Sequence, residues 1–351
     1  MENDRSEGIP ADSIEVAIIT ALAFEGNAVD LFFDKRCRTS ELPYLHNLPE
    51  FANSITVGNI RNHRIVLART GEAGKAKASA TAALVKAVFK QIKLVLVVGI
   101  LAACLEFKET IKLGDVIIST GIVIYDSGTQ EGDNYRQKGD GKKTDIAPFL
   151  DKLTGVWYRS ELSKAAHGHL HEKLAKPPSD LEPPLKIPEK DPQMKPKVHF
   201  GYVGSGDVVI KDENFGKSIF SRNRKTIKGF EMEACGVEDS FPQKVVVIKG
   251  VSDYADLNKN DDIQQYAAYA ATGYAIAFLD MRDSKTTHSQ IVASEAKAFA
   301  SERLEKAKNI ILHGHRREPS ATSSGGVLPP PKITPIPGRS VSLPSTICSC
   351  D

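Results

Sequence analysis

The chain has 351 residues, 41% of them hydrophobic and 26% charged, with a net charge of +2. That is enough length and apolar content for one large domain, or two small ones, with a sizeable core. Lysines and acids are mixed without a basic stripe, so the charge excludes the electrostatic footprint of a nucleic-acid or anionic-membrane binder.

Residues 1–13 are polar and acidic and read as a loose tail, without the basic start and apolar centre of a secretory leader. IEVAIIT (14–20) is a first buried strand, rich in β-branched residues. ALAFE (21–25) follows, and a helix is predicted on to residue 33. Glu25 therefore sits near a helix start, where the helix dipole alone favours an acid. Residues 34–53 read as a loop. Residues 54–58 and 63–70 read as a hairpin around NIRN. GEAGK (71–75) punctuates, and residues 76–90 are Ala-rich with helical spacing. KLVLVVG (93–99) is a central strand, apolar on both faces, with ILAAC (100–104) predicted as the turn after it. The longest apolar run, 94–105, is twelve residues, too short to cross a bilayer.

IKLGD (111–115) is a turn, and residues 116–119 and 122–125 are further strands. Residues 127–197 read as one partly mobile insertion at the domain edge. It holds a weakly amphipathic helix over 145–175 and the Pro/Lys-rich segment KPPSDLEPPLKIPEKDPQMKPK. His167, His169 and His171 lie in that helix. A spacing of two spreads them around the axis, which argues against a shared metal. Strand 198–204, the turn Ser205-Gly206-Asp207, Val208-Val209-Ile210 and a helix over 212–221 come next. Strand 227–231 leads into GFEMEACGVEDSFPQKVVVIKGVSDYAD (229–256), where Glu231 and Glu233 precede a short helix. An apolar strand (244–251) then runs into Ser252, Asp253 and Asp256. A helix over 260–281 and a charged one over 289–312 follow. The Pro/Ser/Gly-rich tail, 316–351, is expected to be disordered and to link to a fused or partner module. The five cysteines are scattered, with neither zinc spacing nor a disulfide framework, which suits a reducing, cytoplasmic setting.

Strands alternating with helices predict a three-layer α/β/α sandwich around a central sheet. Ligands of such sheets bind outside the carboxyl ends of the strands. Glu25, the turn after Gly99, Met232-Glu233 and Ser252-Asp253 all follow strand ends. Parallel strands would gather them on one rim; a mixed sheet would spoil part of that. Acids crowded on the rim of an apolar core are costly unless paired, protonated or in use. With no His or Cys nucleophile beside them, they suit acid/base cleavage of a glycosidic bond. On residue type alone they also suit Mg²⁺.

Six segments, IITALAFE, Gly74-Lys75, IKLGDVIIS, GSGDVVIK, GFEMEACGV and KGVSDYADLNKN, together resemble the purine nucleoside/uridine phosphorylase superfamily over 14–126 and 198–281. They look most like its methylthioadenosine/S-adenosylhomocysteine nucleosidase branch, and like the nucleosidase-like domains that filamentous fungi attach to NTPase or ankyrin modules. The resemblance implies a mixed central sheet, a purine nucleoside or nucleotide as ligand, no metal or other cofactor, and a homo-oligomer. It implies that Asp253 is the general acid protonating N7 of the base, held by Ser252, and that Glu25 polarises water. Glu233 would grip ribose hydroxyls, Met232 would pack on the sugar, and Val209 and Ile210 would lie along the base. The family carries a glycine-rich turn after the central strand. Here it reads Gly99-Ile100-Leu101-Ala102-Ala103, and Gly99 alone keeps the freedom for close backbone approach to a ligand. Ile100 cannot hold phosphate as the Ser or Thr of a phosphorylase would. A water-using nucleosidase is therefore expected. A nucleoside-binding sensor that has lost the chemistry, and a phosphorylase, are the alternatives.

Overall fold

Nine β-strands, one of them only two residues long, build the central sheet of a computed structural model that describes residues 8–131, 134–138, 141–174, 195–223, 226–256 and 261–283. In chain order the elements begin with β1 (Val16–Thr20), α1 (Ala23–Asp30), β2 (Lys35–Arg36), α2 (Pro49–Ser54), β3 (Ile55–Ile60), β4 (His63–Arg69), α3 (Lys75–Val88), β5 (Leu94–Ala103) and β6 (Val116–Ile124). They continue with β7 (Gly128–Glu131), β8 (Asn134–Gln137), α4 (Ala147–Thr154), α5 (Val156–Leu174), β9 (Val198–Ser205) and α6 (Glu213–Arg222). They close with β10 (Ile227–Glu231), α7 (Ala234–Ser240), β11 (Val245–Asp253) and α8 (Asp261–Asp283). Met1–Ser284 form one compact unit and Lys285–Asp351 a second. The helix expected over 289–312 and the tail expected to be disordered lie outside the described residues.

The sheet order is β10-β9-β6-β11-β5-β1-β4-β3-β2. β4, β1, β5 and β11 run parallel. β6 opposes β11, and β9 and β10 run parallel to β6. β10 then closes back onto the end of β5, antiparallel, through Gly229↔Ala103 and Phe230↔Ala102. β5, β11, β6, β9 and β10 thus form a closed circuit, which leaves no unpaired edge beside the site. Alternate residues of the inner strands go to opposite faces. Ala17, Ile19, Val95, Val97, Val245 and Val247 meet α3 and α7. Ile18, Leu94, Leu96, Val98, Val246 and Ile248 meet α8 and the helices around it. This is the expected three-layer sandwich around a mixed sheet.

The structure departs from the sequence reading in several places: the loop read over 34–53 holds β2 and α2, the two strands read over 116–125 are one, β6, and three further differences bear on the site and the core. First, ILAAC is not a turn. β5 runs on to Ala103, because each residue after Gly99 finds a ladder partner in β11 or β10. Second, the supposed insertion contributes to the core. Leu150, Leu153, Leu162, Ala166 and Leu170 of α4 and α5 are buried, and α5 packs on α8. The helical signal over 145–175 is weak because α5 buries a narrow stripe of Leu and Ala under a wide charged face. Of that insertion, the Pro/Lys-rich residues 175–194 lie outside the described residues. Third, the loose tail ends earlier than expected. Ala11–Ser13 form a 3₁₀ turn, Ile9 packs on the core, and its carbonyl accepts the Tyr44 hydroxyl at 3.0 Å. Residues 1–7 lie outside the described residues.

Candidate active site

Glu25 is the third residue of α1, which starts directly off β1. Its Oε2 accepts the N–H groups of Ala21 (2.9 Å) and Leu22 (2.8 Å), and its Oε1 accepts that of Ile100 (2.8 Å). The carboxylate thus ties the end of β1 to its parallel neighbour β5. Gly99 makes room for it: at φ +155°, a Cβ there would lie 2.1 Å from Glu25 Oε1. Gly99 therefore seats Glu25, and the cavity wall falls to Ile100, Leu101 and Ala102.

β10 ends in Glu231, whose carboxylate accepts the N–H groups of Glu233 and Ala234 at 3.0 Å. That folds the chain back so that Glu233 points inward at the start of α7. Glu233 Oε1 accepts the Gly74 N–H at 3.2 Å, and its Oε2 is hydrogen-bonded to Lys249. Lys249 Nζ also lies 3.6 Å from Glu231. On β11 the register shifts between Val251 and Asp253. Such a bulge re-aims the side chains beside it. Ser252 Oγ sits 3.2 Å from Leu101 O and 3.0 Å from Asp253 Oδ2. Asp253 Oδ1 accepts the Ala255 N–H at 3.0 Å, which Ala255 presents from φ +55°, a conformation a non-glycine residue holds only under local constraint.

Around these groups lies a cavity of about 210 Å³, lined also by Met232, Val209, Ile210, Tyr125 and Phe230. The structure brings Glu25, Glu233, Met232, Ser252, Asp253, Val209 and Ile210 to this one cavity. β10 joins the rim through the closure onto β5, since in strand order it stands at the far edge of the sheet.

The electrostatics follow from burial. Glu25 is 2% exposed. Burial pushes its carboxyl above the ordinary value of 4.5, against the pull of Lys249 and with a further push from Glu233. Glu231 is raised in the same way, by burial first, against Lys249. Burial also works against the charge on Lys249, but Glu233, Glu231 and Glu25 outweigh it and hold the ammonium above its usual range. Sequence reasoning missed Lys249. Its signal was a lysine in the middle of the run VVVIKGV, where a charge survives only beside buried partners.

The three histidines of α5 do not converge. His167 Nε2 lies 2.9 Å from Pro196 O, His169 Nε2 lies 3.0 Å from Asp280, and His171 is exposed. Among the described residues no three His, Cys, Asp or Glu are arranged to hold a metal ion, and no helix is long and apolar enough to cross a membrane.

A profile described as the phosphorylase superfamily matches residues 15–280. A nucleotide-binding leucine-rich repeat (NLR)-like protein of Hyaloscypha variabilis is 25% identical over 258 residues, 64% of this chain and 25% of that protein. The ATP nucleosidase Cap17 of Escherichia coli is 28% identical over 210 residues, 59% of this chain and 39% of that protein. The chain thus spans less than half the length of these curated relatives. Among solved structures, a methylthioadenosine/S-adenosylhomocysteine nucleosidase of Neisseria meningitidis matches with a TM-score of 0.51 and 19% identity, over 76% of this chain and 99% of that one. A putative nucleosidase of the same kind from Borrelia burgdorferi, bound to adenine, matches with a TM-score of 0.52 and 18% identity, over 76% and 99%. These likenesses establish the fold.

Proposed function

The chain belongs to the phosphorylase superfamily, and from that membership and the geometry of the rim we propose that it is an N-glycosidase hydrolysing the base–ribose bond of a purine nucleoside or nucleotide. The observation that carries this reading is the convergence of Glu25, Glu233 and Asp253 on one cavity. Asp253 protonates the base, Glu25 polarises the attacking water, and Glu233 grips the ribose hydroxyls. The local bonds fix the orientation of the Asp253 carboxyl group: Ala255 N–H donates to its Oδ1, and Ser252 Oγ lies within hydrogen-bond reach of its Oδ2 and of Leu101 O. As the bond breaks, the sugar carries oxocarbenium character, and the buried Glu25 and Glu233 carboxylates face that charge.

Water rather than phosphate is the acceptor. The cation among the described cavity-lining residues is Lys249, which Glu233 and Glu231 already occupy. The start of α3 is likewise taken by carboxylates, Glu233 on the Gly74 N–H and Asp207 on the Lys75 N–H.

One observation favours the sensor as a second reading. Ile100 and Ala102 line the cavity with side chains that glycine would lack. Incubation with adenosine, methylthioadenosine, inosine, AMP and ATP, with and without phosphate, separates the readings by chromatography of the free base. Release without phosphate is the expected outcome. Binding without release would establish the sensor, and phosphate-dependent release would establish the phosphorylase. Asp253→Asn is expected to lower the rate about a hundred- to ten-thousand-fold with an unchanged melting temperature, as loss of a general acid does. Retained activity would remove Asp253 from that role.

A further inference from the structure

We propose that Asp207 is a positioning residue: it ties the apolar wall at 208–210 to the start of α3, and so keeps the base side of the cavity in register with its sugar side. This rests on the nucleosidase reading. Residues 206–212 have no regular structure between β9 and α6. Ile210 is buried and anchors one end of this wall by packing, but Val208 and Val209 line the cavity at 46% and 51% exposure. Polar ties hold these two. Tyr125 donates its hydroxyl to Val208 O at 2.9 Å, and Asp207 N donates to Asp126 Oδ2 at 2.8 Å. Asp207 Oδ1 then accepts the Lys75 N–H at 3.0 Å. That last bond crosses to another part of the chain, and it lands one residue from the Gly74 N–H that Glu233 Oε1 accepts at 3.2 Å.

α3 has no cap of its own, since its N-cap is Gly74. Its first two N–H groups are capped from two distant loops, one bearing the base wall and one the sugar-side acid. Adjacent N–H groups at a helix start hold two carboxylates side by side, and the helix dipole offsets their repulsion. Gly74 is the residue that permits this. It sits at φ +125°, and a Cβ there would come within 2.9 Å of Asp207 Oδ1. The base wall and Glu233 are therefore aligned by one shared helix end.

The test is Asp207→Ala beside Asp207→Asn in the full chain, with calorimetric binding of adenine and adenosine and steady-state base release from adenosine. Losing a charge-assisted hydrogen bond is expected to raise the adenine Kd and the KM about tenfold, with kcat and melting temperature close to wild type. Asp207 is exposed, so its loss as a cap is expected to lower the melting temperature by a few degrees at most. Asparagine keeps an acceptor oxygen in place and is expected to restore both constants to within about twofold. An alanine variant that binds like wild type, or an asparagine variant no better than alanine, overturns the proposal. If wild type binds adenine but releases no base from any nucleoside, the nucleosidase reading fails and the Kd comparison still decides the role of Asp207. Wild type that binds neither probe overturns both.

Discussion

Lys249 is 2% exposed beneath three glutamates, and removing it would leave their charge buried without a counter-ion. Lys249→Met is expected to destabilise the fold by about 3–5 kcal/mol, the range for breaking a buried ion pair from one side. Lys249→Arg restores the charge and is expected to recover most of that loss. Denaturant titration of the two variants checks this, and a methionine variant as stable as wild type would sink it. Glu25 gives the fold a pH dependence. Its pKa is raised above 4.5, so the folded state keeps its proton over a window where the unfolded chain has released its own. The stability from that proton is fully present below about 4.5 and is lost as pH rises through the folded value. In the proposed mechanism activity runs the other way, because polarising water needs the carboxylate. The acidic limb of kcat/KM is therefore expected above pH 4.5, and Glu25→Gln is expected to abolish activity across the whole profile. A limb at or below the ordinary glutamate range would contradict the assignment.

Strand β5 shows why an element's length decides its job. Where a glycine-rich turn would let backbone approach the ligand, Ile100 and Ala102 keep the strand going and supply side chains as wall. Gly99 gives the one opening, and Glu25 fills it. The helices α4 and α5 make the complementary point. Their charged faces conceal a buried stripe, and Leu162 is fully buried in it. Leu162→Ala is expected to cost ~2–5 kcal/mol, as for other core leucines. A loss below about 0.5 kcal/mol, usual for surface positions, would return these helices to the status of an appended insertion. The sequence-level signal was weak there because Ala and Leu at few positions carry the whole contact.

At the scale of the molecule, helices among the described residues cover both faces of the sheet. The closed circuit of five strands also belongs to this scale, because it alone brings β10 to the rim where β1, β5 and β11 end.

By itself the sequence determined the alternation of strands and helices, the layers they form, and the acids that follow each strand end. These are local signals: apolar periods of two and 3.6, and the residue types at a boundary. Family membership came from the same source, six short segments in order. The tertiary structure decided what each acid touches. Whether Glu25 meets the Ile100 N–H, whether Lys249 lies under Glu231 and Glu233, and whether Asp207 caps a helix that starts 132 residues earlier depend on contacts between distant parts of the chain. Such contacts follow from strand order and closure, and a pattern read along one dimension carries no record of them.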